Sequence, residues 1–371
     1  MNLKTLSIFV AINVVLFLQV GCGGGGDDGN GDGPVDTGDS VNNGINGQLF
    51  MGSSGEGQLL DLSTGHFKEI PGVNWSGSMS TDYHPSATHY ATPSKDGKEF
   101  IEVVKDCFSG DDPLSPFYDC IVIHNSNGDI ISSGKMSEDI SRATRFSNNK
   151  DYFAFFYNNW RDSSSNDELV IFDRNIQFVG RSQLDGKLAR SFDWLNNGQI
   201  VYIHDQTIYI TSPYSTKGAP IYTFLPEEGR PDYIAASPDG SRIAFTLVTD
   251  AYTHVIHGTT WIMNINGTDL HQLAYDPSSN NPIINYPTWS PNGDYILNVV
   301  GRIKISPDPY TDDVLDVEDL LGELYAIPSS SRNVMINTDG EDGVVRIRSY
   351  SPTSNELTYK FSTNGNMVWI P

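Results

Sequence analysis

Eight histidines, three cysteines and 46 acidic residues are the groups in this chain that could hold a metal or move a proton. His84 and His89 lie beside an expected inner strand, where imidazoles from one face could share a metal. Their spacing matches no metal-ligand signature, and a plain rim histidine is the alternative. His254 and His257 fall in a hairpin loop and read the same way. Asp28, Asn30, Asp32, Asp36 and Asp39 occupy positions 1, 3, 5, 9 and 12 of a calcium-loop pattern, with Gly33 at position 6. Calcium is the one cofactor this suggests. Asp39 stands where a bidentate Glu is preferred, and a Gly/Asp-rich tract also generates such matches by chance. No Gly-x-Ser-x-Gly elbow and no Gly-x-x-x-x-Gly-Lys-Ser/Thr loop occurs, so serine-hydrolase and phosphate-loop chemistry have no motif here.

Cys107 and Cys120 flank a Pro-interrupted loop between two apolar strands. In an oxidising compartment they are expected to form a disulfide, contributing roughly 3 kcal/mol by loop closure. Two buried free thiols are the alternative. Residues 306–319 hold Asp308, Asp312, Asp313, Asp316, Glu318 and Asp319 without a Lys or Arg. This segment reads as a solvated loop or a cation-binding one. With the loop around Trp160 and the loop between the two cysteines, it makes an expected binding rim. All three join the second and third strands of their units, so they should share one face.

Those groups need elements to carry them, and the chain is repetitive. Tyr233-Ile234-Ala235-Ala236-Ser237-Pro238-Asp239-Gly240 leads into Ser241-Arg242-Ile243-Ala244-Phe245. Tyr286-Pro287-Thr288-Trp289-Ser290-Pro291-Asn292-Gly293 leads into Asp294-Tyr295-Ile296-Leu297. Each is a strand, a tight turn and a second strand. Proline presets the turn's φ, and Asp/Asn-Gly supplies its left-handed position. Looser copies centre on residues 93, 148, 195 and 352. Spacings of about 43–61 residues suit four-stranded propeller blades with insertions. The expected fold class is all-β, a β-propeller over residues 47–371. The N-terminal strands (48–70) and the C-terminal ones (344–370) count as separate blades in a seven-bladed ring. Merging them gives six with two strands spare. Seven is the preferred count and six the alternative. Either way the termini should meet and close the ring.

The Ser-Pro-Asp-Gly turn followed by Ile-Ala-Phe resembles the WD40-like repeat of the TolB propeller family. The likeness is closest at residues 237–245 and 290–297, looser in the other copies, and covers most of residues 84–362. It implies the fold. Members of that family include binding scaffolds, peptidase accessory domains and some lyases, so it leaves activity open.

The chain begins with Lys4, an apolar run over residues 6–20, and Leu18-Gln19-Val20-Gly21-Cys22. A short positive region before an apolar core marks a signal peptide over residues 1–21, and the run is short for a membrane span. The end of it resembles the lipobox of bacterial lipoproteins, although Gln19 stands where Leu is preferred. That resemblance implies lipidation at Cys22, with ordinary secretion as the alternative. Residues 22–46 are almost all Gly, Asp, Asn and Ser, a flexible tether in composition. Gly24 resembles the sorting pattern for the outer membrane, leaving the periplasmic or outer surface open. A net charge of −23 disfavours nucleic acid. Together these predict a lipid-anchored envelope propeller that binds a protein or glycan without catalysis. The alternative is an enzyme such as a metal-dependent polysaccharide lyase using His84 and His89.

Overall fold

Phe153-Ala154-Phe155-Phe156 and Ile200-Val201-Tyr202-Ile203 are buried at every position. Side chains alternate across a strand, so both faces of these strands must be covered. Sheets standing side by side around an axis satisfy that requirement, and that is the arrangement found. The computed structural model describes residues 41–70 and 89–371, apart from 43, 54–55, 69, 113–114, 137–139, 141–143, 158–167, 184–188, 216, 251–256, 276–282, 302–304, 307–315, 318–320, 337–340, 352–355, 359 and 363–365. The chain divides into two units, Met1–Gly38 and Asp39–Pro371. Residues 1–40 lie outside the described residues, and with them the expected signal peptide, Cys22 and the calcium-loop residues.

The described strands form six blades. Blade 2 runs inner to outer through His89–Pro93, Glu99–Asp112, Ser115–Asn125 and Ile130–Met136. Blade 3 is Arg145–Phe146, Tyr152–Tyr157, Glu168–Asp173 and Phe178–Gln183, and blade 4 is Ala189–Trp194, Ile200–His204, Thr207–Thr211 and Ala219–Thr223. Blade 5 is Arg230–Ala236, Arg242–Asp250, His257–Asn264 and His271–Gln272. Blade 6 is Ile283–Trp289, Tyr295–Gly301, Leu321–Pro328 and Val345–Arg346. Blade 1 takes Gln48–Ser53, Glu56–Asp61 and Phe67–Lys68 from the N-terminal side and its inner strand, Asn366–Ile370, from the C-terminal side. Gln48 pairs with Ile370, so the termini close the ring as expected.

The count is therefore six, the alternative reading, and not the preferred seven. The repeat copy at residue 352 starts no blade. It lies in a two-stranded hairpin, Ser349–Tyr350 with Leu357–Thr358, and Lys360–Ser362 then pairs along the third strand of blade 6. Six apolar clusters agree, one at each seam. Leu297, Leu324, Leu49, Met367 and Trp369 meet between blades 6 and 1. Phe50, Ala91, Phe100 and Ile370 meet between blades 1 and 2. The other four clusters fill the remaining seams in the same way.

The turn between first and second strands repeats a single arrangement. Ser237 Oγ donates to Asp239 Oδ1 at 2.6 Å and accepts from Arg242 N at 3.0 Å, with Gly240 at φ 72°. Ser290 does the same with Asn292 and Tyr295, Ser147 with Asn149 and Tyr152, and Ser94 with Asp96 and Glu99. These turns, and those between third and fourth strands, lie at one end of the ring, called here the turn face. The links between second and third strands lie at the other end. The loops holding Trp160 and residues 307–315 are outside the described residues, but the strands that bound them all end at that second face. Within the acidic insertion, Ile305–Ser306 pairs with Asp316–Val317.

Candidate functional site: the axial funnel

Every blade sends the end of its inner strand to the turn face, and there the six ends surround a cavity of about 270 Å³. Its wall is divided. Blades 2, 3 and 4 supply Lys95, Asp96, Arg145, Asn148, Asp193 and Asn196, whereas blades 5, 6 and 1 supply mainly alanine, proline, Trp289, Met367 and Trp369.

Tryptophans end three of the inner strands and tie blades together. Trp194 Nε1 donates to the Arg145 carbonyl at 3.0 Å, and Trp289 Nε1 donates to the Ala235 carbonyl at 3.0 Å. Trp369 Nε1 donates to the Asn46 carbonyl at 3.0 Å. An indole buries a large apolar body while its single donor is satisfied, across a seam for Trp194 and Trp289 and within blade 1 for Trp369. Arg242 adds a further tie, its guanidinium 4.9 Å from the Trp289 ring and its Nη1 donating to the Ser329 carbonyl at 3.0 Å.

The polar wall is held by pairs that cross blades. Lys95 of blade 2 reaches past blade 3 to Asp193 of blade 4, Nζ to Oδ2 at 3.1 Å, and also donates to the Trp194 carbonyl at 3.1 Å. Asp193 is buried. Its Oδ2 also accepts from Ala236 N at 2.8 Å, and its Oδ1 accepts from Trp194 N at 2.8 Å. A buried carboxylate needs such partners. Asp96 Oδ2 accepts from Lys150 Nζ at 2.8 Å, and its Oδ1 accepts from Ser94 Oγ and Lys98 N. Burial works to raise the Asp96 pKa, but the hydrogen bonds from Lys150 and Ser94 outweigh it and hold the carboxyl below its ordinary value. Burial likewise works to lower the Lys150 pKa, and Asp96 with Glu99 carries it above the usual lysine value. Asn148 Nδ2 donates to Asn196 Oδ1, and Asn196 Nδ2 donates to the Pro238 carbonyl, a ladder across three successive turns.

A second cavity of about 280 Å³ adjoins the funnel and shares Pro291, Trp369 and Pro371 with it. It lies at the seam of blades 6 and 1, walled by residues 44–47, the Ser290–Asn292 turn and Tyr295.

No family model matches the chain, and no curated protein matches it. Solved propellers do. TolB from Acinetobacter baumannii is similar with a TM-score of 0.51 and 15% identity, over 88% of this chain and 67% of that one. The fold is that of a TolB-like β-propeller. A putative TolB from Agrobacterium tumefaciens gives a TM-score of 0.47 at 12% identity, covering 88% of this chain and 100% of that one. An oligogalacturonate lyase from Vibrio parahaemolyticus gives 0.44 at 12%, covering 66% and 68%. At such identities the likeness speaks to architecture and not to activity.

The TolB-like propeller places the expected site residues unevenly. His89 begins the inner strand of blade 2, but its side chain, like that of Cys107, lies outside the described residues. His84, His254, Trp160, Asp312 and Asp313 lie outside them altogether. Among the described residues no group of three or more His, Cys, Asp or Glu converges as a metal site, and no helix is long and apolar enough to cross a membrane. Cys120 is buried, and its backbone pairs with Val104. Lys95, Arg145, Asp193 and Trp369 went unnoticed in the sequence. The available signal was positional, because a tryptophan precedes the turn at Trp194 and at Trp289.

Proposed function

We propose that this chain is a binding module of the cell envelope, displaying a six-bladed propeller whose funnel docks a protein or glycan partner. One observation carries the reading: all six blades contribute to a single concave, half-polar and half-apolar cavity at the turn face. Such sites are built on rigid elements. The anchor is part of the proposal, with lipidation at Cys22, a tether over residues 22–46 and an outer-membrane address. The lipobox pattern at residues 18–22 and the composition of the tether support it. A disulfide between Cys107 and Cys120 is also proposed, supported by the two cysteines lying on neighbouring paired strands, Glu99–Asp112 and Ser115–Asn125.

A photo-crosslinking amino acid placed in cells at Asn292, in the wall of the seam cavity that adjoins the funnel, is expected to give a discrete adduct. The same group at Asp111, in the hairpin of blade 2, should give none. Adducts from Asp111 alone, or turnover of a polysaccharide by the purified protein, would overturn the reading. Radiolabelled palmitate incorporation lost in Cys22→Ala tests the anchor separately.

A further inference from the structure

Among the described residues, each blade ends outward in a strand that pairs on one side only. These edges are unequal. In blades 5, 6 and 1 they are His271–Gln272, Val345–Arg346 and Phe67–Lys68, two residues each. In blades 2, 3 and 4 they are Ile130–Met136, Phe178–Gln183 and Ala219–Thr223, with seven, six and five residues. A long edge offers its backbone N–H and C=O groups to another strand, and proteins blunt such edges with brevity, proline or charge. Blade 4 has Pro220 in its edge. Blade 3 sets the Arg181 guanidinium 5.8 Å from the centroid of the Phe178 ring and pairs it with Glu168 at 2.5 Å. Blade 2 has no proline, and Lys135 is the one charge in its edge. Ile130 and Ile131 are 54% and 39% exposed there. Residues 132–136 pair one for one with residues 123–119 on the inner side, so the edge is a regular ladder.

We infer that the outer edge of blade 2 is a docking surface on the side wall of the ring, and that it takes an apolar strand of another protein, with one acid facing Lys135, as an added strand of the blade. This surface is separate from the funnel and does not depend on it. Strand addition draws its affinity from the main-chain ladder and its selectivity from alternate side chains. Ile130 and Ile131 are consecutive, so they present apolar surface to both faces of an added strand. Charge decides the rest. The chain holds 46 acids, yet none falls in the edges of blades 2, 3 or 4. Lys135 turns away a basic strand and admits an acid, which is selection by repulsion as much as by attraction. A second copy of this chain fits less well. It would bring two bodies of charge −23 together, and it would set one lysine-bearing edge against another.

The test uses the mature full chain and two capped, fluorescent octapeptides that alternate valine and serine around a central Glu or a central Lys. The Glu peptide should bind about tenfold tighter than the Lys peptide. A strand points its N–H groups alternately to its two edges. N-methylating one alternate set of amides in the Glu peptide should therefore abolish binding, and methylating the other set should leave it within about twofold. Lys135→Glu should invert the preference, and Ile131→Asp should weaken the Glu peptide about tenfold or more. Thr223→Asp, in the edge of blade 4, should change nothing. Unchanged melting of the three variants shows that they fold. Failure of both peptides to bind, equal effects of the two methylation patterns, or a preference that survives Lys135→Glu overturns the inference. Sedimentation of the mature chain is the second arm. A dimer that Ile131→Asp dissociates would assign the edge to a second copy and overturn the partner strand, whereas a monomer before and after that substitution supports it. None of these results alters the crosslinking expected at Asn292.

Discussion

At the turn face, four blades repeat short turns of one design, and side chains from neighbouring blades interlock: Lys150 with Asp96, Asn148 with Asn196, Arg242 with Ser329. At the opposite face the links differ in every blade. Blade 4 turns in two residues, Asp205 and Gln206, whereas blade 6 departs for the acidic insertion, whose paired segments Ile305–Ser306 and Asp316–Val317 bond only to each other among the described residues. The charge differs too. The turn face mixes Lys95, Lys98, Lys150, Arg174 and Arg242 with its aspartates, while residues 306–319 contain acids alone. One end of the ring holds the blades together and shapes a cavity. The other carries links of unequal length.

The strongest way to break this contrast is Trp194→Ala. The side chain is fully buried in the seam of blades 3 and 4 and donates across it. A loss of about 3–5 kcal/mol is expected in denaturant unfolding. A loss under 1 kcal/mol would mean that the turn face is not where the seams are tied. Next is Gly180→Ala in the outer strand of blade 3. A Cβ there would run into the Pro213 carbonyl oxygen of blade 4, which is backbone and cannot swing aside. About 1–3 kcal/mol should be lost, read as a lower melting temperature.

A smaller effect belongs to Asp239. Hydrogen bonds from Ser237 and Ser241 lower its carboxyl from 3.8 to about 2. A depressed pKa means stability that is complete above the unfolded value and lost as pH falls through the folded one. Wild type should therefore lose stability between pH 3.8 and about 2 relative to Asp239→Asn, by less than about 1 kcal/mol because the site is open to solvent. Parallel acid titrations of the two proteins would sink this assignment of the turn's strength. The smallest effect is expected from replacing residues 308–314 by two glycines. Stability should stay within about 0.5 kcal/mol by thermal melting, and a larger drop would show that the insertion face carries load after all.

Much of the blade grammar was legible because it is local. Ser237, Asp239 and Arg242 are bonded within a few residues of one another, so the turn can be recognised from its own letters. Continuous apolar strands such as Ile200–His204 announce burial on both faces for the same reason. The funnel was not legible. Lys95 meets Asp193 and Trp369 meets Asn46 only because the ring brings distant segments to one axis.

The blade count shows where the boundary lies. Residues 349–358 have the letters of another repeat and do form a hairpin, so local physics was obeyed. Whether a hairpin founds a blade depends on an apolar seam to each side, and Asn366–Ile370 found a better one beside Gln48–Ser53. The amino-acid sequence alone determined the all-β class, the turn chemistry and the four-stranded unit, because those depend on neighbours along the chain. Six blades, the closing strand and the cavity at their centre were decided by tertiary structure, because ring closure is a competition between surfaces that meet only after the strands have formed.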